Sequence, residues 1–289
     1  MNSLSPALLE LVSKAMDDGS TYEELLRHLQ LARKDTQMED IDRIQRIDGA
    51  TVDLGREARC GFGEVIFGEG KSAELVTRII QTQLDQGQAA LVTRIDSGVA
   101  FQVRQSFQYS YHNPSARTLR VSLSEVDCSS PLTMDQGGDN FHAAVVTAGS
   151  TDIGVAEEAI ETLVWMGIPF RRFDDIGVAG PQRLAAVVPE LRQASAAVVV
   201  AGMEGALPAV VAGHLAAPVF AVPTSVGYGT NLGGLTPLMG MLSSCAANVA
   251  AVNIDGGFKG GYMAGVVVRQ LMKHCQKVEE EHAVQEVQA

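Results

Sequence analysis

A chain of 289 residues has room for about two domains with buried cores, and 46% hydrophobic against 19% charged residues excludes a disordered protein. Acidic residues outnumber basic ones 34 to 22, so no overall field attracts nucleic acid or an anionic membrane. Four cysteines, Cys60, Cys128, Cys245 and Cys275, form no C-x-x-C pair, which argues against a disulfide framework and a structural zinc site; the first residues lack the basic stretch of a signal peptide, so a cytoplasmic protein is expected.

Residues 1–38 read as a helical hairpin. Ser5 and Pro6 start one helix, Gly19 stops it, and Thr21 with Glu24 forms a capping box for the next. Residues 39–138 read as a mixed α+β domain. Its predicted elements are a strand at Glu64–Phe67, a helix at Ser72–Gln86 closed by Gly87, and a strand at Ala89–Ile95. Alternating segments near Ala100–Gln105, Gln108–Tyr111 and Arg117–Ser122 suggest an antiparallel hairpin region, and polar Asp127–Asn140 reads as a linker.

From residue 139 to 275 the pattern becomes regular. Strands are predicted at Ala143–Thr147, Phe170–Phe173, Ala197–Ala201, Val219–Val222 and Val249–Asn253. Helices follow them near Ile153–Met166, Gln182–Gln193, Leu207–Leu215, Leu235–Ser244 and Tyr262–His274. Short apolar strands alternating with helices define an α/β parallel sheet covered on both faces. The nearly uncharged stretch Ala194–Pro223 contains Glu204, His214, Pro208 and Pro218 and divides into pieces too short for a membrane span. The acidic tail, 276–289, is expected to be disordered.

Ligands of open α/β sheets bind beyond the carboxyl ends of the strands, so the loops there carry the functional information. The first is Ala148-Gly149-Ser150-Thr151-Asp152, with hydroxyls at a helix start that suit a phosphate, and Asp152 suits ribose hydroxyls or a metal. An ordinary N-cap explains this loop alone equally simply. After the third strand, Glu204 stands between Gly202 and Gly205 directly behind an apolar run, where burying a carboxylate would be costly. After the fourth, Pro223 to Gly234 combines Thr224, Ser225, Gly227 and Tyr228 in a loop able to cradle phosphate while the tyrosine stacks on a ring. Asp255 follows the fifth strand. None of these is a G-x-G-x-x-G or Walker A fingerprint. Composition and spacing favour a buried structural role for Cys245, at a helix C-terminus that does not favour a thiolate.

Residues 141–268 resemble the aminoimidazole ribonucleotide (AIR) carboxylase, or PurE, superfamily through A-G-S-T-D at Ala148–Asp152, G-M-E-G-A-L-P at Gly202–Pro208 and V-P-T-S-V-G-Y-G at Val222–Gly229. The match is closer to its LarB branch, through R-C-G-F-G-E-V-I-F-G-E-G-K at Arg59–Lys71, S-C-A at Ser244–Ala246 and V-N-I-D-G-G-F at Val252–Phe258. The resemblance implies a flavodoxin-like catalytic domain. It also implies carboxylation of the pyridinium ring of nicotinic acid adenine dinucleotide by CO2 or bicarbonate, with phosphoanhydride hydrolysis, giving pyridinium-3,5-biscarboxylic acid mononucleotide and AMP for nickel-pincer nucleotide biosynthesis. It places the nucleophile on Cys245 and makes Asp152, Glu204 and Asp255 candidates for proton transfer, with Asp152 and Glu204 as candidate Mg2+ ligands. Gly149, Ser150, Thr151, Asp152, Arg183, Gly202, Thr224, Ser225, Gly227 and Tyr228 would hold the dinucleotide.

A closed homo-oligomer, with an octamer as the candidate assembly, and downstream sulfur- and nickel-insertion enzymes as pathway partners complete what the resemblance implies. One departure is Gln182, where purine-pathway relatives carry a histidine; Gln does not exchange protons at neutral pH. The alternatives are a PurE-type carboxylase or mutase and a nucleotide-binding module without catalysis.

Overall fold

The computed structural model describes residues 41–125 and 141–288, with side chains through Val278. The predicted helical hairpin, the linker at 127–140 and Cys128 lie outside the described residues. Two compact units divide between Glu64 and Val65, inside the segment expected as one mixed domain.

In the first unit, β1 (Ile44–Ile47) and β2 (Ala50–Asp53) form an antiparallel hairpin unexpected from the sequence. Its two-residue turn is Asp48-Gly49, with Gly49 at φ 86°, the left-handed backbone that such turns require. Helix α1 (Arg56–Cys60) stops at Gly61, φ 83°. The Glu64 carboxylate accepts from the Asp53 amide at 2.8 Å.

The second unit contains two sheets. The smaller has strands β3 (Ile66–Phe67), β4 (Ala90–Thr93), β5 (Ser110–Asn113) and β6 (Thr118–Val121) in the order β3-β4-β6-β5. Helix α2 (Ala73–Leu84) follows Ser72, whose hydroxyl accepts from the Leu75 amide. The segment expected as a strand near Ala100–Gln105 is instead α3 (Ser97–Arg104). Asp96 caps it by accepting from the Gly98 and Val99 amides, and Ala100 and Val103, three apart, form its buried stripe. The local cap and the three-residue spacing override the apparent alternation.

The larger sheet is parallel, with β7 (Ala143–Thr147), β8 (Phe170–Phe173), β9 (Ala196–Ala201), β10 (Val219–Pro223) and β11 (Val249–Ala251). Its spatial order, β8-β7-β9-β10-β11, is the flavodoxin-like 2-1-3-4-5. Every residue of β7, β9 and β10 is buried, as expected of central strands covered on both faces.

Helices α5 (Pro181–Leu191), α6 (Leu207–Ala212) and α7 (Leu235–Leu242) cover one face through a cluster that includes Leu184, Leu191, Leu207, Val211 and Met241. Helices α4 (Ile153–Trp165) and α8 (Gly257–Gln288) cover the other. Close approach of α8 requires Gly260: a Cβ there would lie 2.7 Å from Val222 Cγ2. Helix α8 continues through the acidic segment expected to be disordered, because 276–288 holds helix-forming residues with no Gly or Pro.

The smaller sheet packs on α4. Arg120 Nε on β6 bonds Glu161 Oε2 at 2.6 Å, and Trp165 Nε1 donates to the Ala89 carbonyl at 2.9 Å. Among the described residues, no helix is long and apolar enough to cross a membrane.

Candidate active site

Four loops follow the carboxyl ends of β7, β8, β9 and β10 and frame a cavity of about 230 Å³ lined by Gly149, Thr151, Asp152, Arg183, Gly202 and Glu204 among others. The loop after β11 borders the same rim, since the Asp255 carboxylate accepts from the Ser225 amide at 2.8 Å. The rim expected from the sequence is therefore assembled.

Asp152 holds the rim together. It is 3% exposed; one oxygen accepts from the Thr224 hydroxyl at 2.8 Å and the other from the Gly149 amide at 3.0 Å. The Gly202 amide bonds it too. Gly202 must be Gly, because a Cβ would meet the Val226 carbonyl at 2.5 Å and the Thr224 hydroxyl at 2.6 Å. Asp152 thus clamps three loops together at the cavity wall.

Burial pushes its carboxyl above the ordinary range, against the pull of the Thr224, Gly149 and Gly202 hydrogen bonds. A raised folded pKa means that the stability this group contributes is full below about pH 4 and is lost as pH rises through the folded value. Unfolding free energies measured by denaturant titration from acid to neutral pH are therefore expected to fall less with pH in Asp152→Asn than in the natural protein. Equal slopes would show that Asp152 does not titrate differently in the two states.

Glu204 differs from its expectation. It is exposed, so the anticipated cost of burial does not arise, because the chain turns outward at Met203, φ 54°, and Gly205, φ 68°. Gly205 is pressed on α7, where a Cβ would lie 2.8 Å from Pro237 Cα. Tyr228 is 82% exposed and free to meet a planar ring. Gly227 is at φ 154°, with the Asn231 amide filling the space that a side chain would need. Ser150 and Ser225 are exposed and Thr224 is fully buried. Arg183 pairs with Asp175 at 2.7 Å on the cavity wall, and Gln182 beside it is exposed.

Cys245 is exposed, correcting the buried role that its spacing favoured. It lies between the end of α7 and the start of β11, on the amino edge of the sheet. Asn248 fixes this edge by donating to the carbonyls of Ala212, Leu215 and Ala217 at 3.0–3.3 Å, while its own carbonyl accepts from the Val219 amide. Helix α7 runs toward this loop from the rim, and two residues before its end Gly240 rests on the Glu204 segment, where a Cβ would lie 2.9 Å from the Glu204 carbonyl.

The residues implied for Mg2+ do not fit a protein cage. Asp152 spends both oxygens on the clamp, Glu204 stands on the surface, and no group of three or more His, Cys, Asp or Glu side chains among the described residues is arranged to hold a metal.

Three participants were not legible in sequence: Thr147, and the pair Arg94 and Glu158. Thr147 Oγ1 ties the β8 loop by donating to Asp174 and accepting from the Asp175 amide. The one signal for Glu158 is an acidic residue on the buried side of α4.

These features define an α/β protein of the AIR carboxylase type, and residues 142–288 match the family model described as AIR carboxylase. Residues 44–123 match the model of the LarB/PurE-like N-terminal domain, and the chain belongs to the LarB family with its PurE-like C-terminal domain. An uncharacterized protein of Methanocaldococcus jannaschii is 34% identical over 229 residues, covering 77% of this chain and 85% of that protein. The crystal structure of Treponema denticola PurE aligns at 18% identity and a TM-score of 0.35, covering 50% of this chain and 97% of the other.

Proposed function

We propose that this protein carboxylates the pyridinium ring of nicotinic acid adenine dinucleotide and hydrolyses its phosphoanhydride, releasing AMP and pyridinium-3,5-biscarboxylic acid mononucleotide. The reading is carried by one observation: strand-end loops bearing Glu204, Asp255, Ser225 and Tyr228 converge on one rim in a chain with the LarB-type N-terminal domain.

A pyridinium carbon is too electron-poor to attack CO2. Addition of the Cys245 sulfur to the ring para to nitrogen gives a dihydropyridine whose neighbouring carbon is nucleophilic. That carbon bonds CO2, its proton passes to the Glu204 carboxylate, and expulsion of the sulfur restores aromaticity. Tyr228 stacks on a planar ring of the dinucleotide, and the helix start at Ser150 and Thr151, with Arg183, receives phosphate.

In this reading a second copy of the chain supplies the Cys245 sulfur. Leu235, Met239 and Leu242 form an exposed apolar stripe along α7, continued toward the rim by Leu232. A two-fold pairing across this stripe brings the cysteine of one copy to the rim of the other, giving two composite sites per pair.

The test supplies the dinucleotide, labelled CO2 or bicarbonate, and Mg2+ present or withheld. Mass spectrometry is expected to find a mononucleotide carrying the labelled carboxylate, together with AMP. Turnover of an aminoimidazole ribonucleotide instead, or binding without product under every condition, overturns this reading.

A further inference from the structure

We infer that Arg94, on the smaller sheet, is a positioning residue for the rim: anchored on Glu158, its guanidinium holds the loop after β11 so that Asp255 keeps its carboxylate at the site. The inference rests on the function proposed above and adds a task for the LarB-type N-terminal domain, within whose matched span Arg94 lies.

Arg94 follows β4 directly and has φ 54°, a left-handed backbone uncommon in a residue with a side chain, which persists only where the surroundings hold it. Its Nε donates to Glu158 Oε1 at 3.2 Å, and an Nη donates to the Asp255 carbonyl. Glu158 in turn accepts from the Phe258 amide at 3.1 Å, in the first turn of α8. Its side chain is 5% exposed. Burial pushes its carboxyl above the ordinary range, and the charge of Arg94 is the strongest opposing influence. The arginine is thus the group that makes a charged Glu158 tolerable there.

The loop itself leaves little freedom. Asp255 has φ 54°, its amide donates to the Pro223 carbonyl at 2.8 Å, and its carboxylate receives the Ser225 amide. Gly257 lies directly on α4, where a Cβ would fall 2.1 Å from the Val155 carbonyl. Ser225 therefore holds the loop from the rim side, and Arg94 with Glu158 holds it from behind. One planar fork serves two acceptors in different directions; a lysine carries the charge but lacks that fork.

The test compares Arg94→Met, Arg94→Lys, Asp255→Asn and the double variant Arg94→Met/Asp255→Asn. Arg94→Met is expected to lower kcat on the order of 10- to 100-fold, with KM for the dinucleotide little changed, and Arg94→Lys should recover part of the loss. The double variant should be no slower than Asp255→Asn, because both remove one device. Losses that multiply would overturn the inference and mark Arg94 as merely structural.

Hydrogen exchange provides a readout without turnover. Amides of residues 252–258 and of Ser225 should exchange faster in Arg94→Met, while those of β9 stay protected. Unchanged exchange in the loop refutes the positioning role. If the natural protein shows no turnover of the dinucleotide, the proposed function falls and the exchange experiment still decides this one.

Discussion

Cys245→Ala is expected to lower carboxylation by at least about 1,000-fold while leaving the fold and dinucleotide binding intact. The cysteine is exposed, outside the core, and its loop is tethered by Asn248 rather than by its own side chain. Truncation to alanine therefore removes a nucleophile and little packing. Glu204→Gln should also be inactive, because an amide cannot accept the ring proton.

The informative result comes from mixing the two inactive variants. In the proposed pairing across the exposed α7 stripe, a productive site takes its sulfur from one copy and its carboxylate from another. An equal, randomly paired mixture contains half mixed pairs, each with one intact site of two, and should regain about a quarter of the natural turnover. Mass spectrometry of the mixed pair confirms that exchange has occurred. A mixture that is verifiably exchanged yet inactive would show that both groups act within one chain. Full activity in Cys245→Ala would remove the covalent mechanism altogether.

The regular half of the chain was readable because its strands carry their signal locally. The run Ala-Ala-Val-Val-Val-Ala at 196–201 is a strand buried on both faces, and the proline at 181 marks a helix start. The loops at the strand ends could be found for the same reason, since the position of a loop in a parallel sheet follows from alternation alone. The role of each carboxylate could not. Asp152 and Glu204 both follow a strand, yet one is clamped by three loops and the other faces solvent. The difference lies in partners such as Thr224, 72 residues away.

The irregular half failed in two instructive places. Residues 97–104 alternate loosely enough to imitate a strand, and the signal that mattered was Asp96 capping the first turn. The hairpin at Ile44–Asp53 carried an Asp-Gly turn, a strong local signal, but its flanking strands are too polar to alternate clearly. Arg94 and Glu158, 64 residues apart, have no sequence signature as a pair.

The largest effect on stability is expected at Arg120. Its side chain is 3% exposed and its partner Glu161 is fully buried, so solvent does not screen the pair. The guanidinium also lies over the Tyr111 ring, 5.0 Å from its centroid, and Asn113 donates to Glu161 Oε1 at 3.0 Å and to Glu157 Oε2 at 2.9 Å. Removing only the cation strands a buried carboxylate whose remaining support here is a neutral amide. Arg120→Met should therefore cost about 3–5 kcal/mol in unfolding free energy by denaturant titration.

The pair itself need not be stabilising to that extent, because two desolvation penalties oppose its attraction. Arg120→Met/Glu161→Leu, which removes both charges and keeps the volume, should recover most of the loss. A double variant as unstable as the single one would show that packing against Tyr111 and Asn113, rather than the stranded charge, sets the cost. Since α4 starts at Ile153, next to Asp152, a single variant that loosens α4 should also weaken the clamp under the rim. The double variant should restore both.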